Sequence, residues 1–312
     1  MSRADISVII PARNEGMRIA PTIQSIARAR TTDARLEFII VDDGSTDDTI
    51  ANLVAAVPEL LKERNVETRV YQLEEHLGIY RARNYAASMA TADILFGTDA
   101  HVRFSHGWDE VVSRHIGPDR ILAATTTQTG SDFRGYGCDL LVPFMGTCWN
   151  CGPVECSAHV PVAACSGTVM TRALFERLGG YDSGMLWYGA GEPEFSVRAW
   201  LHGAEIFVLE DLQVEHEFKS KEELARFIRN VRPFWVYNCI RFGLLYLSEL
   251  GCMQLLRFYA QTFPSFFTEA LRRIQQSDVW QRRRFLEMQR QRSFEWFVEY
   301  FGMRNQAGGE II

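Results

Sequence analysis

The chain has 312 residues, 47% of them apolar and 23% charged, and a formal net charge of −6. That length suits one large α/β domain with an appendage, or two domains. The acidic balance argues against a general nucleic-acid binder, which carries a basic excess. No run reaches the ~18–20 apolar residues of a spanning helix, and no apolar leader precedes the first predicted strand. The seven cysteines therefore read as reduced thiols in a cytoplasmic protein.

Ile6–Ile10 is a β-branched run ending at Pro11 and predicts a buried first strand. Asn14 in PARNEG is placed to cap a helix over residues 17–28. Leu36–Val41 predicts a second strand that runs into DDGSTDDT, where Gly44 turns the chain into a helix reaching Ala56. Val66–Leu73 predicts a third strand, HLGIYRARNYAASMA a turn and helix, and Ile94–Phe96 the next strand. Strand–helix alternation through residue 100 predicts a mostly parallel sheet flanked by helices. Ligands bind such sheets beyond the strand ends, where the loops carry Arg13, Asn14, Asp42, Asp43 and Asp99. No G-x-G-x-x-G follows the first strand, so a dinucleotide fingerprint is missing.

Asp99 and His101 leave the strand ILFGT one residue apart. In an extended chain both would point to one side and could hold a divalent ion. Carboxylate oxygen suits Mg²⁺ or Mn²⁺, and imidazole tilts the choice toward Mn²⁺. A solvated surface pair is the competing reading of these two residues alone.

Further along, Trp108–Ile116 predicts a short helix and Ile121–Thr127 a strand. Residues 128–161 are long for a structureless loop and predict a functional segment or small strands. Val162–Ala164 and Gly167–Thr171 read as strands, Arg172–Leu178 and Glu192–His202 as helices, and Glu205–Leu209 and Val214–His216 as strands. Amphipathic helices cover residues 221–262 and 264–300. Among them the cationic run QRRRFLEMQRQR reads first as a solvated face, and more weakly as a peripheral membrane or acidic-partner contact. Cys148, Cys151, Cys156 and His159 lie close in sequence, but their spacing is not a standard zinc pattern, and no zinc is expected.

The runs VIIPARNEG, IIVDDGSTDDT and ADILFGTDAH together resemble the family 2 glycosyltransferases of the GT-A fold. GGYDSGMLWYGAGEPEFSVRAW and the later VEH resemble the C-terminal part of the β-1,4-galactosyltransferases and polypeptide N-acetylgalactosaminyltransferases. The resemblance implies a GT-A catalytic domain over residues 1–218, with a nucleotide-sugar half (1–101) and an acceptor half (102–218). A helical extension follows over 219–312.

It also implies roles. Pro11, Arg13 and Glu15 would hold the nucleoside, Asp42 or Asp43 would read the uracil and ribose, and Arg83 would lie near the diphosphate. Asp99 and His101 would form the metal motif, with His216 as third ligand to Mn²⁺ or Mg²⁺. Glu192 would be the catalytic base, with Glu194 sharing its role, and Trp187 and Tyr188 would be the aromatics of the substrate turn. Two departures stand out: DAH replaces a DxD, and Gly191 stands where the related turn carries Glu. The expected activity is metal-dependent transfer from a UDP-sugar, with inversion. A retaining enzyme of the polypeptide type, a non-catalytic nucleotide-sugar binder and a nucleotidyltransferase are the alternatives. The acceptor stays open between a peptide, a small metabolite and a glycan primer.

Overall fold

A computed structural model describes residues 4–60, 63–152 and 158–308. The chain opens with β1 (Ile6–Ala12), a 3-10 turn at Gly16–Arg18, α1 (Ile19–Arg28), β2 (Leu36–Asp42) and α2 (Thr49–Leu60). β3 (Val66–Gln72), α3 (Ile79–Met89), β4 (Ile94–Thr98), β5 (Val102–Phe104) and α4 (Trp108–His115) follow. The middle holds β6 (Arg120–Gln128), β7 (Arg134–Gly135), β8 (Cys138–Leu141), β9 (Gly146–Trp149), β10 (Ala158–His159) and β11 (Gly167–Thr171). Then come α5 (Arg172–Leu178), α6 (Gly191–Leu201) and β12 (Glu205–His216). Five helices end the described chain: α7 (Lys221–Tyr246), α8 (Glu249–Thr262), α9 (Pro264–Gln275), α10 (Val279–Gln289) and α11 (Phe294–Tyr300).

The main sheet runs β10-β12-β6-β11-β4-β1-β2-β3. β1 to β4 are parallel, as the alternation predicts, and β11 runs antiparallel between β4 and β6. Side chains alternate across each strand. Val8 and Ile10 of β1 and Phe38 and Ile40 of β2 pack against Ile19, Ile23 and Ile26 of α1 and Leu53 of α2. Ile9 and Ile39 face the other way, onto Ala82 and Ala86 of α3. Both faces are thus covered, which is why these strands read as continuous apolar runs.

Three local expectations change, and a fourth is met. The chain is not extended over 99–101 but bends there, between β4 and β5. Val162–Ala164 is not a strand, and Val162 makes one isolated bridge to Cys138. The two strands expected over 205–216 are one, with a register shift between Leu209 and Gln213. The long segment after residue 128 contains the hairpin β8–β9. The C-terminal helices share one core with the sheet: Val236, Ile240, Leu255, Val279 and Phe297 join Ile9 and Ile121 in a single apolar cluster. No described helix is long and apolar enough to cross a membrane.

Candidate active site

Asp99, His101 and His216 each offer one ligand atom, and these atoms lie within 4.8 Å of one another. Strand register brings them together across the sequence. β12 runs antiparallel to β5 with His216 opposite Val102, and Glu217 N donates to His101 O at 3.0 Å. The bend itself is pinned by α1: Thr22 Oγ1 donates to Ala100 O at 3.0 Å and accepts from Val102 N at 3.1 Å.

The donor set fits a divalent cation. Two imidazoles and one carboxylate suit Mn²⁺ better than Mg²⁺ and leave positions for oxygen ligands. His216 Nδ1 is buried without a hydrogen-bond partner among the described residues. His101 Nδ1 lies 2.9 Å from Glu15 Oε2. A carboxylate only accepts, so Nδ1 carries the proton, and in the neutral ring Nε2 is then the nitrogen with the lone pair, the usual orientation of a metal-binding histidine. Glu15, expected on the nucleoside, thus stands behind His101. Burial lowers the His101 pKa, but the hydrogen bond and charge of Glu15 outweigh it and raise the pKa overall. Burial raises the Asp99 pKa, and His216, Arg83 and His101 together pull it well below the ordinary carboxylate value.

Arg83 sits beneath this cluster, 1% exposed. Its Nη2 donates to Asp99 Oδ1 at 2.9 Å and its Nη1 to Glu192 Oε1 at 2.6 Å. The arginine expected near the diphosphate therefore links two carboxylates. Glu192 Oε2 also accepts from Tyr80 OH at 2.9 Å. Tyr80 OH accepts in turn from Gly191 N at 3.0 Å, and a Cβ on Gly191 would stand 2.3 Å from the Tyr80 ring. The position where the related turn has Glu is therefore closed to any side chain here. Glu194 is a different case from Glu192. Two residues on, it is turned about 200° around α6, is fully buried, and accepts from Arg198 at 2.9 and 2.8 Å and from Tyr246 OH at 2.8 Å. It ties α6 to α7, away from the cleft, so the expected second catalytic acid is a packing residue.

A cleft of about 660 Å³ opens in front of the cluster, lined on one side by Pro11, Arg13, Asp43, His76 and Trp187. Asp42 lies underneath, fully buried, with its carboxylate 3.3 Å from Ser45 N. Of the two expected base readers, Asp43 faces the cleft. Its carboxylate accepts from Leu77 N at 2.6 Å and Gly78 N at 2.9 Å and meets His76 Nδ1 at 2.7 Å. Arg13 Nη1 donates to Asp43 O at 3.4 Å. Gly78, at φ +91, lets the chain pass 187: a Cβ there would fall 2.5 Å from Trp187 Cα.

The turn that carries Trp187 and leads to Glu192 is held from α7. Buried Asn238 accepts from Leu186 N at 2.8 Å and donates to the carbonyls of Leu186, Tyr188 and Gly189 at 2.7, 3.1 and 2.8 Å. Trp187 and Ala190 have positive φ, 41° and 65°, and such non-glycine strain persists where the surroundings enforce it. Trp187 stacks on Phe234 of α7 at 4.2 Å between centroids. A second cavity of about 260 Å³ adjoins the cleft. Trp149, Cys165 and Tyr188 border both, and Glu192 lines the smaller one.

Sequence reasoning missed Thr22, Asn238, the cleft position of His76, and Phe218 and Lys219, which line the cleft just beyond His216. The adjacency of FK to VEH was the available signal for the last two. Arg134 is exposed on β7 and outside the cleft lining. Cys148 and Cys151 are exposed, Cys156 lies outside the described residues, and His159 Nδ1 is engaged with Tyr300 OH.

The family described as Glycosyl transferase family 2 matches residues 7–139. Polypeptide N-acetylgalactosaminyltransferase 8 of Drosophila melanogaster is 29% identical over 263 residues, which cover 74% of this chain and 43% of that protein. The chain thus spans less than half of this relative. The structure of GalNAc-T7 with UDP, GalNAc and Mn²⁺ superposes with a TM-score of 0.72 at 20% identity, over 96% of this chain and 57% of that one. The mannosyltransferase PcManGT from Pyrobaculum calidifontis, in complex with GDP-Man and Mn²⁺, gives a TM-score of 0.55 at 16% identity, over 87% of this chain and 74% of that one. Residues 7–139 thus match the family 2 glycosyltransferases, the fold is GT-A, and the chain resembles the polypeptide N-acetylgalactosaminyltransferases.

Proposed function

We propose that the cleft takes a UDP-sugar together with Mn²⁺ or Mg²⁺ and that the enzyme transfers the sugar to an acceptor hydroxyl. The observation that carries this reading is the convergence of Asp99, His101 and His216 at the strand ends, on the wall of a cleft large enough for a nucleotide. The Mn²⁺ and nucleotides held by GalNAc-T7 and PcManGT support it. When bound, the ion neutralises the diphosphate leaving group.

The chain's own residues divide the remaining work. Asp99, His101 and His216 hold the ion, and Glu15 fixes the ring of His101. Arg83 fixes Asp99 against Glu192. Asp43 shapes the turn at residues 76–78 that borders the nucleoside side, and Trp187 covers it. The acceptor class best supported by the relatives is a peptide.

The stereochemical course turns on Glu192. Inversion, expected from the sequence, needs it as a base. Both its oxygens already accept hydrogen bonds, from Arg83 and Tyr80, and taking the acceptor's proton would remove the charge that pairs with the buried Arg83. That arrangement favours retention, with Glu192 as the anchor of Arg83. The test is a panel of UDP- and GDP-sugars scored by hydrolysis with Mn²⁺, followed by NMR of the product anomer. Turnover of a UDP-sugar to a retained anomer is expected. No turnover and no nucleotide binding across the panel would contradict the reading.

A further inference from the structure

Helix α10 packs on the body through Val279 and Leu286, both buried. Its outer face is unusual for a surface helix. Trp280, Phe285 and Met288 are 51%, 48% and 78% exposed. At 100° per residue they fall with Gln281 and Arg284 in one arc of about 140°, with Glu287 just past its edge.

The neighbouring surface continues the pattern. Arg283 Nη1 donates to the carbonyls of Leu244 and Leu247 at 2.9 and 3.0 Å, which seats α10 beside the start of α8. There Leu250 and Met253 are also exposed. Charge singles out the same region. In a chain of net charge −6, residues 271–292 carry seven arginines against Asp278 and Glu287. Arg272, Arg273, Arg282 and Arg283 are paired with carboxylates, whereas Arg284 and Arg290 have no ion pair among the described residues.

We propose that the outer face of α10, with the start of α8, docks on an anionic lipid surface. Bulky apolar side chains around the unpaired Arg284 on one helix face, with unpaired Arg290 just past the helix end, match an interfacial element: Trp, Phe and Met enter the headgroup boundary while the guanidinium groups meet lipid phosphates. A neutral protein partner would leave the arginine excess unanswered. The proposal does not depend on the glycosyltransferase reading, because the cleft is lined by the first half of α7 and α10 packs near its far end.

The experiment is sedimentation of the full chain with vesicles of phosphatidylglycerol and phosphatidylcholine, against pure phosphatidylcholine. Binding to the anionic vesicles is expected, weakening as salt rises. R284E should reduce the partition coefficient about 25-fold, from roughly fivefold per surface charge. W280S/M288S should reduce it as well. These positions are exposed and outside the cleft, so the thermal melt of each variant should be unchanged and serves as the folding control. Wild-type protein that ignores anionic vesicles would overturn the proposal. So would binding unaffected by both variants, or a wild-type dimer that W280S/M288S converts to monomer without any vesicle binding.

Discussion

Glu15 and His101 are held 2.9 Å apart, carboxylate to Nδ1, by the first strand loop and the bend after β4. That contact decides which imidazole nitrogen is free, and so whether residues 99–101 can serve an ion at all. Glu15→Ala should weaken Mn²⁺-supported UDP binding by about 10–100-fold, the range for a residue that orients a ligand. Glu15→Gln should be milder, because its amide oxygen can still accept. Calorimetric titration of UDP at fixed Mn²⁺ checks both. Equal affinity in wild type and Glu15→Ala would mean that His101 is not a ligand.

Glu192→Gln separates its two roles. As an anchor of Arg83 it should lose about tenfold or less in kcat, with the product anomer still retained. As a general base it should lose ~10²–10⁴-fold, with an inverted product in the wild type. Single-turnover rates and NMR of the product read the two outcomes independently. Glu194→Gln should act on stability instead, since it disturbs the buried pair with Arg198.

Asp43→Ala should weaken UDP binding by about 1.5–3 kcal/mol, the scale of hydrogen bonds to a charged group, because it releases the turn at residues 76–78. Asp42→Ala should leave UDP affinity nearly unchanged, since Asp42 lies under the cleft floor. Calorimetry on the two variants checks the contrast. An effect confined to Asp42 would place the nucleoside elsewhere.

The buried Asp182–Arg241 pair, 2.8 Å apart, ties the segment before the turn at residues 186–190 to α7. Asp182→Ala should destabilise the fold by about 1.5–3 kcal/mol, because it removes one of the two carboxylates, the other being Asp278, that meet the buried Arg241 guanidinium. Burial raises the Asp182 pKa, but Arg241 and Arg282 pull it below the ordinary 3.8. A depressed folded-state pKa means that the contribution is full above that ordinary value and is lost as pH falls through the folded one. Thermal melts of wild type and variant should therefore converge in strong acid. A constant gap down to that range would contradict the assignment.

The parallel half was legible because β1, β2 and β4 are buried on both faces and end in turn residues with polar side chains. That Asp99, His101 and His216 would converge was legible from DAH and VEH, but their geometry was not: the bend at 99–101 is held by Thr22, 77 residues before Asp99, and no local pattern announces it. Asn238 looked like one polar residue in an aromatic helix, and its four hydrogen bonds go to a turn about 50 residues away. Glu192 and Glu194 are two residues apart and indistinguishable by composition. The rotation of α6 sends one to the cavity and the other into the core. Long-range pairing of this kind leaves no periodic trace.

The central claim is that Asp99, His101 and His216 hold a divalent ion on which nucleotide binding depends. The most direct test is calorimetric titration of UDP into wild type and His216→Ala, each with Mn²⁺ and with EDTA. The account predicts that EDTA lowers wild-type affinity ~100-fold, a metal–phosphate contact being worth several kcal/mol, and that His216→Ala binds weakly in both conditions. Equal wild-type affinity with Mn²⁺ and with EDTA would contradict it.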